Sequence, residues 1–269
     1  MKKSLILFLS LFLTGFVFSQ ENIKSDIGIF KDITQSFENK YYPGTIENVE
    51  RLQQQYPDSV FIQQALVYKA HALVNLSCYD DAIATLTNAI SHMHTGQKGF
   101  TECHYLLGLS YFYLEDYEKA SECFYVSTQL ADLDKDDFHY AYSVFFFAES
   151  YYNLGRYEEV YPIYEYVIEH GKSYSKDDYS SAVQKLMISY NKSKLYTKTI
   201  DLYNGLHKPF FDNDVQSIIK LYAAEAYEKI KQYDKAYNLY CDVIASENEE
   251  LAIIALKNAF NLSDSKKLA

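Results

Sequence analysis

Several residue types that usually carry chemistry are scarce in this chain. Nine glycines in 269 residues leave no glycine-rich loop to cradle a phosphate, and neither G-x-S-x-G nor H-E-x-x-H occurs. Four cysteines, Cys78, Cys103, Cys123 and Cys241, are scattered without C-x-x-C spacing. An oxidising compartment would permit Cys103 and Cys123 to join across one helical hairpin, but buried free thiols are the simpler reading, since cysteine packs well as a small apolar residue. Basic residues are short as well: 25 Lys and Arg against 36 Asp and Glu give a net charge of −11. Such a balance repels phosphate backbones and anionic lipid, which argues against nucleic acid as a partner.

Long apolar runs are limited to one. Lys2 and Lys3 precede the run Leu5 to Phe18, and Val17 and Ser19 supply small residues before Gln20. This is the pattern of a cleaved secretory signal, and it is shorter than the roughly 20 apolar residues a membrane span needs. Cleavage before Gln20 would take Lys2 and Lys3 away and bring the net charge to −13. No cysteine near that point offers lipid attachment, so the expectation is an exported protein, periplasmic or secreted, without a membrane span.

Candidate ligand clusters are sparse. His92, His94, Cys103 and His104 form the one group with transition-metal ligands near each other in sequence, and solvated loop histidines explain it more simply. The acidic runs 132–137 and 247–250 lack the alternation and glycine of a calcium loop and read as solvated turns and helix-start charges. Three N-x-S sequons, at Asn75, Asn191 and Asn261, are expected by chance. No cofactor, no metal and no catalytic residue is assigned.

What the chain has in abundance is tyrosine, 28 in all, and part of it is periodic. Tyr42, Tyr79, Tyr117, Tyr157, Tyr196 and Tyr233 return at spacings of 37, 38, 40, 39 and 37. Three residues after each stands a side chain no larger than valine: Thr45, Ala82, Ala120, Val160, Thr199 and Ala236. A unit repeated in this way cannot bury its apolar face alone and must stack on its neighbours. In the clearest copy, Leu107, Gly108 and Tyr111 share one helix face, and Ala120 and Phe124 share another. Small Gly108 and Ala120 would let two antiparallel helices approach closely.

This pattern resembles the tetratricopeptide repeat, with its Leu-Gly pair, tyrosine, alanine and phenylalanine at set places. The resemblance covers about residues 26 to 245. Counterparts of Leu107-Gly108 are Lys69-Ala70, Phe147-Ala148, Leu186-Met187 and Ala223-Ala224; Tyr111 is echoed by Leu73, Tyr151, Tyr190 and Tyr227; Phe124 by Leu86, Tyr164, Tyr203 and Tyr240. Met187 opposite Thr199 is the poorest fit, and that hairpin is predicted to be splayed or locally adjusted. The resemblance implies an all-α, right-handed superhelical solenoid of about five to six hairpins with a C-terminal capping helix. Its parts are predicted as a signal peptide over 1–19, an atypical hairpin over 20–58, repeats over 59–246, and a capping helix with tail over 247–269.

In this family the first helix of each hairpin lines an inner, concave face. Transferred to this sequence, that face carries Val67, His71 and Asn75, then Tyr105, Leu109, Phe112 and Tyr113. It continues through Tyr142, Phe145, Glu149 and Tyr152, then Gln184, Ile188 and Asn191, and ends with Leu221, Glu225 and Glu228. A groove of this composition, aromatic in the middle and acidic at one end, suits an extended peptide or a partner's helix. Only Lys185 and Lys192 lie near it, too few for a clamp on a terminal carboxylate. The expected function is therefore a non-catalytic protein-interaction scaffold. A glycan- or small-ligand-binding protein of the envelope, or an accessory of outer-membrane assembly, are the alternatives.

Overall fold

The computed structural model describes residues 25–206 and 210–264. The segment read as a signal peptide and the last five residues lie outside them. Among the described residues there are thirteen α-helices and one short 3-10 turn. They fall into two compact units, Met1–Cys78 and Tyr79–Ala269.

In the first unit, α1 (Asp26–Glu38), α2 (Tyr42–Gln55) and α3 (Ile62–Asn75) pack on one another. Ser25 caps α1, its hydroxyl accepting from the Gly28 N–H, and Pro43 sits in the first turn of α2, where a missing N–H costs nothing. Ile29, Ile33, Val49 and Leu52 are fully buried.

The second unit opens with α4 (Tyr79–Ser91). Four hairpins follow: α5 (Phe100–Tyr113) with α6 (Tyr117–Asp134), α7 (Asp137–Asn153) with α8 (Tyr157–Glu169), α9 (Lys176–Lys192) with α10 (Tyr196–Gly205), and α11 (Asn213–Lys229) with α12 (Tyr233–Ile244). A lone helix, α13 (Glu249–Asp264), closes the series and packs on α12. Within this unit each helix packs on the next, and first helices of neighbouring hairpins also meet. This is the tetratricopeptide-like repeat fold.

The periodic residues form the frame. Thr45, Ala82, Ala120, Val160, Thr199 and Ala236 are each fully buried, as are Ala70, Ala148, Met187 and Ala224. Phe124, Leu86, Tyr164 and Tyr240 are also fully buried. The recurrent tyrosines are half-buried at the starts of the second helices. In three copies the lysine two residues after that tyrosine reaches back over the ring of the first-helix tyrosine: Lys119 over Tyr111 at 5.1 Å, Lys198 over Tyr190 at 5.4 Å and Lys235 over Tyr227 at 5.3 Å.

The turn between first and second helices repeats as well. Lys40, Ser77, Glu115, Gly155, Lys194 and Lys231, each two residues before a recurrent tyrosine, have φ between 57° and 71°. The next N–H bonds back to a carbonyl five residues earlier: Tyr41 to Ser36, Cys78 to Leu73, Asp116 to Tyr111, Arg156 to Tyr151, Leu195 to Tyr190 and Gln232 to Tyr227, at 2.8 to 3.0 Å. This is the Schellman closure of a helix C-terminus, here built on glycine only once.

The hairpin with the poor Met187–Thr199 match is locally adjusted. Helix α10 is ten residues long, and α9 leans more on α11 than on its own partner. Met187 packs among Val183, Tyr203, Ile219 and Ala223, where its flexible chain fills the space a small residue would leave. The Thr199 hydroxyl donates to Asn191 Oδ1 at 2.7 Å.

Candidate functional site

The first helices differ in what they leave at the surface. Helices α9 and α11 both start with a side-chain cap, Ser175 accepting from the Asp178 N–H and Asp212 from the Val215 N–H, and run in parallel register from there. Near their C-terminal ends, Ile188, Asn191 and Lys192 of α9 face Tyr222, Glu225, Glu228 and Lys229 of α11. Tyr196, Tyr240 and Asn258 complete a cleft of about 450 Å³.

Its polar groups are anchored. Asn191 Nδ2 donates to the Tyr222 carbonyl at 2.9 Å while its Oδ1 accepts from Thr199, so one side chain ties three helices. Tyr240 donates its hydroxyl to Glu228 Oε2 at 3.0 Å. Burial pushes the Glu225 carboxyl above its ordinary value, and the Asn191 hydrogen bond and Lys192 only partly offset it. Ile188 and Tyr222 add apolar surface, and Lys192 and Lys229 stand exposed at the edge.

The predicted face divides three ways. Ile188, Asn191, Glu225 and Glu228 meet in this cleft. Val67, Tyr105, Leu109, Phe145, Glu149 and Leu221 are buried, which corrects their placement on an open groove. The reason is that a first helix contacts its own second helix and the next first helix at once, leaving a narrower open strip than the sequence transfer assumed. Tyr105, for example, lies edge-on to His139 at 5.4 Å and Phe146 at 6.3 Å in α7. His71, Phe112, Tyr142, Tyr152 and Gln184 are half-buried, while Asn75 and Tyr113 are exposed. Within the second unit Tyr113 stacks on Tyr79 at 5.2 Å, and Phe112 packs edge-on to Tyr117 at 5.4 Å.

Glu149 is the sharpest departure from the groove expectation. Its Oε1 accepts from the Tyr164 hydroxyl at 2.7 Å, and its Oε2 is paired with Lys185, whose ammonium also lies 5.3 Å from the centre of the Tyr152 ring. The carboxylate thus joins α7, α8 and α9, and burial drives the Tyr164 hydroxyl well above its ordinary pKa. Tyr222, missed in the sequence reading, stands on the open strip where Leu221 was expected. The spacing of 222, 225 and 229 carries that face, and only the packing of Leu221 against Ala224 and Tyr227 reveals the one-residue offset.

Among the described residues no group of three or more metal-ligating side chains comes together. Cys103 is buried with its Sγ 4.0 Å from Met93 Sδ, and His92 Nδ1 is 2.9 Å from the Asn88 carbonyl. Burial pushes the thiols of Cys103 and Cys123 up to about 12, and both are free. No helix among the described residues is long and apolar enough to cross a membrane.

The sequence matches no described protein family and no characterised protein. Solved structures share the fold. The MamA protein superposes with a TM-score of 0.55 at 15% identity, over 77% of this chain and 94% of that one. NprR in complex with its cognate peptide NprX gives 0.52 at 16% identity, over 90% of this chain and 74% of that one. A putative kinesin light chain of Podosopora anserina with TPR-like repeats gives 0.50 at 12% identity, over 76% and 95%. At these identities the likeness concerns the fold.

Proposed function

We propose that this chain is an exported, non-catalytic scaffold whose second unit holds a peptide or a partner's helix on the open strip of its first helices, centred on the cleft between α9 and α11. The observation that carries this reading is the convergence there of an apolar pair, Ile188 and Tyr222, with hydrogen-bonding and charged groups already fixed by Asn191 and Tyr240. Preorganised groups of both kinds bind an extended chain without a large ordering cost. NprR, of similar fold, is seen with a peptide, which supports a peptide as the occupant. Export rests on the Lys2 to Ser19 pattern alone.

The binding test is selection from a phage-displayed peptide library on the purified chain, followed by titration of the selected peptides against Tyr222→Ala and Ile188→Ala. A loss of about tenfold or more in each folded variant is the expected result. Selected peptides that bind both variants like the parent would reject the cleft. A glycan array probed with the same protein separates the sugar-binding alternative. Fusion of residues 1–25 to a reporter active only outside the cytoplasm tests export.

A further inference from the structure

A second and larger cavity lies away from that cleft, where the end of α8 and the segment 170–175 meet α9 and the end of α10. It measures about 920 Å³, within the range of small-molecule sites. Its wall is apolar and aromatic: Ile168, Leu206, Tyr179, Phe210 and Phe211. Phe210 stands edge-on to Tyr179 at 5.6 Å and to Phe211 at 5.3 Å, and Phe211 is anchored in the core while Phe210 is 39% exposed. An exposed ring held upright by a buried Phe211 and a half-buried Tyr179 is a surface kept open at the cost of hydrating it.

The rim is cationic, in a chain whose net charge is −11. Lys172 and Lys176 line it, neither in an ion pair among the described residues, and the Lys176 ammonium lies 5.3 Å from the centre of the Phe210 ring. Among the described residues Glu169 is the one carboxylate lining the cavity against the two ammonium groups; Asp177 and Asp178, which follow Lys176 in α9, are not in the lining, and Asp178 accepts from the Ser175 hydroxyl at 2.6 Å. His170 has Nδ1 2.9 Å from the Tyr166 carbonyl. Tyr174, also in the lining, has a buried hydroxyl with no hydrogen-bond partner among the described residues.

From these features we infer that the cavity binds a small amphiphilic anion, an apolar body seated on Phe210, Phe211 and Tyr179 with a carboxylate or sulfonate head at Lys172 and Lys176. Apolar area supplies the affinity and the two ammonium groups set the sign of the head. This site is independent of the peptide cleft, so either can stand without the other.

The test uses two naphthyl dyes on the purified chain: anionic 8-anilinonaphthalene-1-sulfonate and neutral N-phenyl-1-naphthylamine. Both are expected to bind saturably at one site, and Phe210→Ala should weaken both by about tenfold. Lys172→Gln with Lys176→Gln should weaken the anionic dye by about fivefold and spare the neutral one. Dodecanoate should displace both dyes, whereas a peptide ending in phenylalanine with a free carboxylate should not. Unchanged binding in Phe210→Ala, equal effects of the lysine changes on both dyes, or displacement by the peptide alone would overturn the inference. Tyr222→Ala serves as the control: loss of dye there, with Phe210→Ala unaffected, would put the dye in the other cleft and defeat the proposal. Circular dichroism confirms that each variant is folded.

Discussion

The ring of Phe124 occupies the space into which any side chain on Gly108 would project: a β-carbon built there would come within 2.7 Å of it. Gly108 lies in α5 and Phe124 in α6, one turn beyond Ala120. The glycine therefore admits the ring of the second helix, and the closeness of the hairpin follows from that fit.

Gly108→Ala is accordingly expected to destabilise the chain by about 1–3 kcal/mol, because a ring buried on all sides cannot shift without disturbing its stack on Phe146. Urea unfolding of the variant checks this. The double variant Gly108→Ala with Phe124→Leu should recover part of the loss.

Tyr164→Phe is expected to cost about 1–3 kcal/mol, since it removes a buried hydrogen bond to the Glu149 carboxylate and leaves Oε1 unsatisfied. Glu149→Gln, which keeps an acceptor for Tyr164 but not the charge facing Lys185, should cost less than Glu149→Ala. The order of the three unfolding midpoints is the readout.

Replacing a non-glycine residue of left-handed backbone by glycine should stabilise. Lys194→Gly and Lys231→Gly each relieve a strained φ of 60° and 64°, for a gain of up to about 1 kcal/mol offset in part by glycine's freedom in the unfolded chain. Gly155→Ala should lose a similar amount, about 1 kcal/mol. Thermal melts of the three variants test the sign at each position.

Glu225 gives the pH prediction. Its carboxyl is raised in the folded state above the ordinary 4.5. Between the unfolded and folded values the native chain holds more proton, so this group's contribution falls as pH rises through that window and stays low at neutral pH. Glu225→Gln should therefore be more stable than the parent at pH 7, with the advantage disappearing as pH drops below the ordinary carboxylate value. An advantage that grows on acidification would show that the cause assigned to the shift is wrong.

The frame of the repeats was legible because it depends on residues close in sequence. A tyrosine, a small residue three places later and a small or aromatic residue on the preceding helix are read within one copy, and Ala120, Ala236, Tyr164 and Tyr240 sit where that pattern puts them. The uniform left-handed turn was less visible, because five of its six carriers are lysine, serine or glutamate in place of glycine. Leu221 and Tyr222 show the same limit on the open face. Both are bulky and adjacent, and one step along a helix turns the side chain by about 100°, so a transferred register can exchange the buried one for the exposed one.

By itself the sequence determined that the chain forms helical hairpins, where their turns fall, and which residues meet inside each pair, since those contacts are local and repeat with the copy. Only the tertiary structure decided which first-helix side chains remain open, that Glu149 is held between Tyr164 and Lys185, and that a cationic rim borders Phe210. Each of these depends on contacts between successive hairpins, whose spacing is set by connections such as 170–175 that vary from copy to copy.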